Sequence, residues 1–207
     1  MDRLQKPKSM FRSFVPADLI TLGNASCGMA SIFLCLSHVS RSPNPYFWTV
    51  FLLLPLALFC DILDGLVARH SHHRSPWGAD LDSLADIVSF GVAPAVLGFT
   101  LGLQGFWDVL ILISFVMCGI SRLARFNVTL PLLADSTGKV KHYEGTPIPT
   151  SIMIVALLGI AYWQDWVDTQ MLFGSIFLGP WILHPFTILY GISGSAMISS
   201  TLRIPKP

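Results

Sequence analysis

Apolar residues fill six long stretches of this chain, roughly 18–39, 46–68, 79–101, 105–127, 147–164 and 184–202. Each approaches the 20 or so predominantly apolar residues that a helix needs to cross a bilayer core about 30 Å thick. Polar or Pro-, Gly- and Ser-rich turns separate them: SRSPNP at 40–45, HSHHRSPW at 70–77, GLQG at 102–105 and a long loop near 128–146. The pattern predicts an all-α membrane protein with six spans. The stretch 168–183, DTQMLFGSIFLGPWIL, is short for a span and contains Pro180. It reads as interfacial, re-entrant or part of a longer bent helix.

The positive-inside rule supports six spans. With both termini on the cytosolic side, twelve of the thirteen lysines and arginines lie on or near that side, and only Arg41 falls opposite. A seventh full span would carry Arg203 and Lys206 across. The first 17 residues, basic and without the apolar core and cleavage site of a secretory signal, form an expected cytosolic or interfacial segment. Residues 18–204 then make one membrane domain, with no internal repeat.

Composition agrees. Hydrophobic residues make up 53% of the 207 and charged residues 12%, against about 25% charged in soluble domains. A net charge of +1 leaves no electrostatic footprint for nucleic acid. Cys27, Cys35, Cys60 and Cys118 sit in apolar stretches without metal-ligand spacing, so packing is their expected role.

Against this background, residues 60–86 hold five aspartates. Asp61 and Asp64 share a helical face with Ala68, and Asp82 and Asp86 lie one turn apart on the next helix. A helical hairpin brings the four carboxylates together near the cytosolic side. Unpaired, they would repel by several kcal/mol at reduced dielectric. Hard divalent cations such as Mg²⁺ or Mn²⁺ resolve that conflict, and two of them would hold a phosphate-bearing substrate. Gly65 and Gly78 suggest close approach of a ligand, and Arg69 offers a planar fork to phosphate. A divalent-cation transporter is the alternative from another class, although an arginine suits cation cargo poorly.

Asp61-x-x-Asp64-Gly65-x-x-Ala68-Arg69, eight residues, then Gly78-x-x-x-Asp82-x-x-x-Asp86 resembles, position for position, the signature of the CDP-alcohol phosphotransferase family. The resemblance implies a six-helix membrane core, usually a homodimer, with two divalent metals. It also implies attack of an alcohol on the phosphate nearest the lipid of a CDP-linked substrate, releasing CMP. Asp61, Asp64 and Asp82 would then be metal ligands, and Asp86 a ligand and the general base. Gly65, Ala68, Arg69 and Gly78 would line the CDP site. Thr21 and Asn24 on the first span either join them or bond across helices.

The flanking blocks SLADIVSFGVAPA (83–95), CGISRLARFNV (118–128), DSTGKVKHYEGTPIPTS (135–151) and GSAMISSTLRIPKP (194–207) resemble the serine-accepting, phosphatidylserine-forming branch of that family, the last two its fungal type. That points to CDP-diacylglycerol and L-serine as substrates and to the endoplasmic reticulum, with a bacterial cytoplasmic membrane fitting the physics equally well. Inositol, glycerol 3-phosphate and choline are the alternative acceptors. Arg122 and Arg125 suit a serine carboxylate or a phosphate, or else anchor lipid headgroups. Phe126 walls the pocket or faces lipid; Asn127 binds substrate or backbone. Glu144 meets the serine ammonium or is a solvated loop acid, and Ser89 and Phe90 shape the acceptor pocket. His70, His72 and His73 read as a solvated or headgroup-facing loop.

Overall fold

The structure, a computed structural model, describes residues 15–40, 45–70, 77–133, 142–167, 173–199 and 203–205, without the side chains of 130–133, 142–144 and 203–205. It is mostly helical. The helices are α1 (Pro16–Ser40), α2 (Val50–His70), α3 (Gly78–Asp86), α4 (Ala93–Thr100), α5 (Phe106–Leu133), α6 (Ile152–Trp163) and α7 (Ile188–Ile198). Among the described residues, four helical stretches are long and apolar enough to cross a membrane: Pro16–Ser40, Phe47–His70, Gly78–Thr100 and Phe106–Thr129. The fifth and sixth predicted spans are shorter apolar helices, Ile148–Trp163 and Pro185–Ile198.

Leu52, Phe59, Met117, Met153 and Ile192 point outward, as expected of helices solvated by lipid. Inside, large apolar side chains such as Phe47, Phe90, Phe115 and Tyr190 form the core, but the face of α1 turned to it is small and polar. The inward stripe of α1 is Thr21, Asn24, Gly28, Ser31 and Cys35, a spacing that keeps one face turned to its neighbours. Small residues let backbones approach closely where no hydrophobic force drives helices together in lipid. Gly28 shows how close: a Cβ there would lie 2.8 Å from the Cα of Ser89. Asp18 opens α1 by accepting the Val15 amide at 3.0 Å. All four cysteines are unpaired, as their apolar settings predicted.

Between α3 and α4 the backbone winds as a π-helix over Ile87–Val92. Such wider turns are uncommon and tend to occur beside functional sites. This one begins directly after Asp86. The two segments that the sequence joined into one span are thus continuous in path but not in helical register.

Four short strands depart from the all-α expectation. β1 (His142–Glu144) pairs antiparallel with β4 (Arg203–Pro205), and β2 (Ile176–Leu178) with β3 (Trp181–Leu183). The latter pair settles the form of residues 173–183: an apolar β-hairpin turning through Gly179 (φ +68°) and Pro180, not a helix. Glycine takes that left-handed conformation without strain, and the proline that follows cannot extend a helix through the turn.

At the same end of the bundle, Asp108 is fully buried. Its carboxylate accepts the amides of Gly105 and His184 at 2.9 Å, the Thr187 hydroxyl at 2.7 Å and the His184 ring at 2.6 Å. That one side chain fastens the start of α5 to the segment leading into α7.

Candidate active site

The opposite end carries the acidic cluster. Asp61 and Asp64 project from the last turns of α2, Asp82 and Asp86 from α3. One carboxylate oxygen from each of Asp61, Asp64 and Asp82 lies within 4.8 Å of the others. Among the described residues, α1 supplies side-chain donors to the cluster: Thr21 Oγ1 donates to Asp64 Oδ2 at 2.5 Å, and Asn24 Nδ2 to Asp86 Oδ1 at 3.3 Å. Asp61 and Asp86 also share a hydrogen bond with each other. Among the described residues, no lysine or arginine pairs with any of the four, the one ion-pair contact being that of Asp108 and His184. Asp64 and Asp86 are nonetheless buried, at 5% and 7% exposure. A buried carboxylate that no cation compensates costs several kcal/mol. An all-oxygen, multiply anionic donor set is what a hard divalent ion prefers, so these residues fit a metal.

Two cavities flank the cluster and share Asp61, Ala79 and Asp82. The first, about 380 Å³, is also lined by Asp18, Thr21, Asp64, Gly65, Ala68, Arg69 and Gly78. The positions named for the CDP site therefore stand together, apart from Asn24, whose side chain is turned to Asp86. A Cβ on Gly65 would meet only the tip of Arg69, at 3.9 Å. Glycine there keeps the cavity open; it does not relieve a clash. The Arg69 side chain folds back, its Nε donating to the Gly65 carbonyl at 3.1 Å.

The second cavity, about 420 Å³, is lined by Asp86, Ser83, Arg122, Phe126, Asn127, Pro147 and Pro149, among others. Arg122 stands 5.8 Å from the Phe126 ring centroid, and among the described residues its buried Nε has no hydrogen-bond partner. Such a donor is costly to leave unused. Asn127 Nδ2 donates to Ser83 Oγ at 3.0 Å.

Three expected acceptor residues lie elsewhere. Arg125, three positions from Arg122, is not on the cavity wall; its Nη1 reaches the Ile198 carbonyl at 3.4 Å. Ser89, fully buried, donates to the Asn24 carbonyl at 2.9 Å, so it ties the π-helix to α1 and does not shape a pocket. Phe90 is core. Thr21 and Asn24 bond across helices. Glu144 lies in β1 and its side chain falls outside the described residues, as do His72 and His73. His70 Nδ1 stays with the Leu66 carbonyl of its own helix, at 2.9 Å.

Sequence reasoning missed Asp18, Ser83, Pro147 and Pro149 as wall residues. Ser83 had a signal, being adjacent to Asp82. The prolines had one only as helix starters.

The model of the CDP-alcohol phosphatidyltransferase family matches residues 14–187. A CDP-diacylglycerol–serine O-phosphatidyltransferase of Saccharomyces cerevisiae is 44% identical over 205 residues, covering 96% of this chain and 73% of its relative. The Bacillus subtilis enzyme of the same name is 32% identical, covering 72% of this chain and 77% of its own. An archaetidylserine synthase of Methanothermobacter thermautotrophicus is 37% identical over 67% of this chain and 55% of its own. With its signature residues gathered around two cavities and these relatives alongside, the chain belongs to the CDP-alcohol phosphatidyltransferase family.

Proposed function

We propose that the chain transfers the phosphatidyl group of CDP-diacylglycerol to the hydroxyl of L-serine, giving phosphatidylserine and CMP. The observation that carries this reading is the pair of cavities meeting at Asp61 and Asp82. A group-transfer enzyme needs donor and acceptor on either side of one reacting centre. The cavity with Gly65, Ala68, Arg69 and Gly78 takes the CDP end, where Arg69 can turn its guanidinium to phosphate. The cavity with Arg122, Phe126 and Asn127 takes the serine, Arg122 offering its idle Nε to the carboxylate.

Asp61, Asp64 and Asp82 would hold divalent ions, Mg²⁺ or Mn²⁺, with Asp86 beside them. When bound, such ions neutralise the pyrophosphate and the CMP that departs. The serine oxygen forms a bond to the phosphorus nearest the lipid, the bond from that phosphorus to CMP breaks, and the hydroxyl proton passes to Asp86. Asn24 orients Asp86 for that transfer and Thr21 orients Asp64.

The same reading makes Ile148–Trp163 and Pro185–Ile198 the fifth and sixth spans, each about 21–24 Å long at 1.5 Å per residue. It puts both termini and the acidic end on the cytosolic side, with residues 1–17 at the membrane surface and 18–204 as the membrane domain. A homodimer in the endoplasmic reticulum is the proposed setting, the first on the family resemblance and the second on the likeness of the flanking blocks to the fungal type.

The test is CMP release by the purified protein from CDP-diacylglycerol and Mn²⁺, comparing L-serine with inositol, glycerol 3-phosphate and choline. Release that requires serine supports the reading. Release with another alcohol would overturn the acceptor and keep the chemistry, and no release from folded protein would overturn both.

A further inference from the structure

We infer that the C-terminal end of α7 sets the position of the acceptor-side cavity wall, with Gly145 and Arg125 as positioning residues. The inference rests on reading that cavity as the acceptor site. A helix leaves its last carbonyls without partners inside the helix. In α7 the Ser195 carbonyl is taken by the Ser199 amide at 3.1 Å. The next three reach outward. Ala196 O accepts the Thr146 amide at 3.2 Å, and Ile198 O accepts Arg125 at 3.4 Å. Met197 O lies against Gly145, where a Cβ would sit 2.3 Å from that oxygen.

These partners do not line the cavity themselves but adjoin residues of two of its walls. Arg125 is one turn from Arg122 and next to Phe126. Gly145 and Thr146 lead directly into Pro147 and Pro149. β4, following α7, pairs with β1 just ahead of Gly145, which extends the same contact by backbone alone. A guanidinium at a helix C-terminus also meets the negative end of the helix dipole. Gly145 carries φ +76°, so both its backbone conformation and the Met197 carbonyl exclude a side chain there. The end of α7 thus fixes how far Pro147 and Pro149 stand from Arg122, without touching the substrate.

The test is acceptor kinetics with a split readout. Gly145→Ala should raise the acceptor KM about tenfold while leaving the KM for CDP-diacylglycerol within about twofold, since small misplacements cost binding only where they occur. Arg125→Met should raise it by about threefold, and Arg125→Lys, which keeps a cation for the Ile198 carbonyl, should restore most of that. An unchanged acceptor KM, or an equal rise in both constants, overturns the inference.

A second readout needs no turnover. The thiol introduced by Pro149→Cys should react faster with a small charged thiol reagent in the Gly145→Ala background than in the parent, above the rate of the native cysteines. Equal rates overturn the inference whatever the acceptor is. The wild-type serine arm alone decides the functional reading; if another alcohol is used, the KM comparison is made with that alcohol.

Discussion

Aspartates are buried at both ends of this bundle, and the two ends treat them oppositely. Asp108 is fully buried and receives four hydrogen-bond donors from the protein around it. Asp61, Asp64, Asp82 and Asp86 share two side-chain donors from α1, the Gly65 amide at Asp64 and a hydrogen bond between Asp61 and Asp86, and three of the four carboxylates crowd within 4.8 Å. A carboxylate that the protein satisfies is structural. A cluster that the protein assembles with few donors, and with Arg122 near Asp86 as its counter-charge, is held ready for something from outside. Burial alone does not separate the two cases; the count of internal donors does.

The comparison is broken most directly by removing what the cluster awaits. Chelation of divalent metal should abolish CMP release, with Mn²⁺ or Mg²⁺ restoring it. Asp82→Asn should cut turnover by at least about 10³-fold, equivalent to about 4 kcal/mol of barrier. Unfolding of the metal-free variant in mild detergent should shift upward or stay put, because one of four mutually repelling charges has gone. Turnover within tenfold of the parent would place Asp82 with the structural acids.

Asp108→Ala is the converse experiment. It strands the amides of Gly105 and His184 and the hydroxyl of Thr187 without an acceptor, so stability should fall by about 3 kcal/mol. Denaturant unfolding in detergent measures that loss, while turnover per folded molecule should stay within about threefold. A variant of unchanged stability would mean that the four contacts contribute nothing net.

This difference between the ends explains what could be read from the sequence. The acidic cluster was legible because its spacing is local: one helical turn on α2 and one on α3, few residues apart along the chain, carry all four carboxylates. The first four spans were legible for the same reason, through continuous apolar runs. Asp108 was not, since its partners at 184 and 187 lie 76 and 79 residues away and nothing near it marks the contact. Arg125 misled because an i, i+3 pair such as Arg122 and Arg125 shares a face only roughly. Packing of α7 against α5 then decided which guanidinium met the cavity. The 173–183 hairpin was hidden by composition, its apolar content fitting a buried helix, a re-entrant segment and an interfacial strand alike.

The smallest effect probes the seam between the two classes. Thr21 is a protein donor to a member of the acidic cluster, so the comparison assigns it a tuning role, neither structural like Thr187 nor essential like Asp82. Thr21→Val keeps the shape and removes the hydroxyl that reaches Asp64 at 2.5 Å. Groups that orient a metal-binding carboxylate in this way typically change metal affinity by 10–100-fold when removed. Because Asp64 retains its neighbours, the lower end is expected: about a tenfold rise in the Mn²⁺ concentration for half-maximal activity, or about 1.4 kcal/mol. Turnover at saturating Mn²⁺ should recover to near the parent, and Thr21→Ser should behave as the parent throughout. A Thr21→Val enzyme that stays slow at any Mn²⁺ concentration would mean that the hydroxyl does more than hold Asp64, and would move α1 from the supporting side of the site to the reacting one.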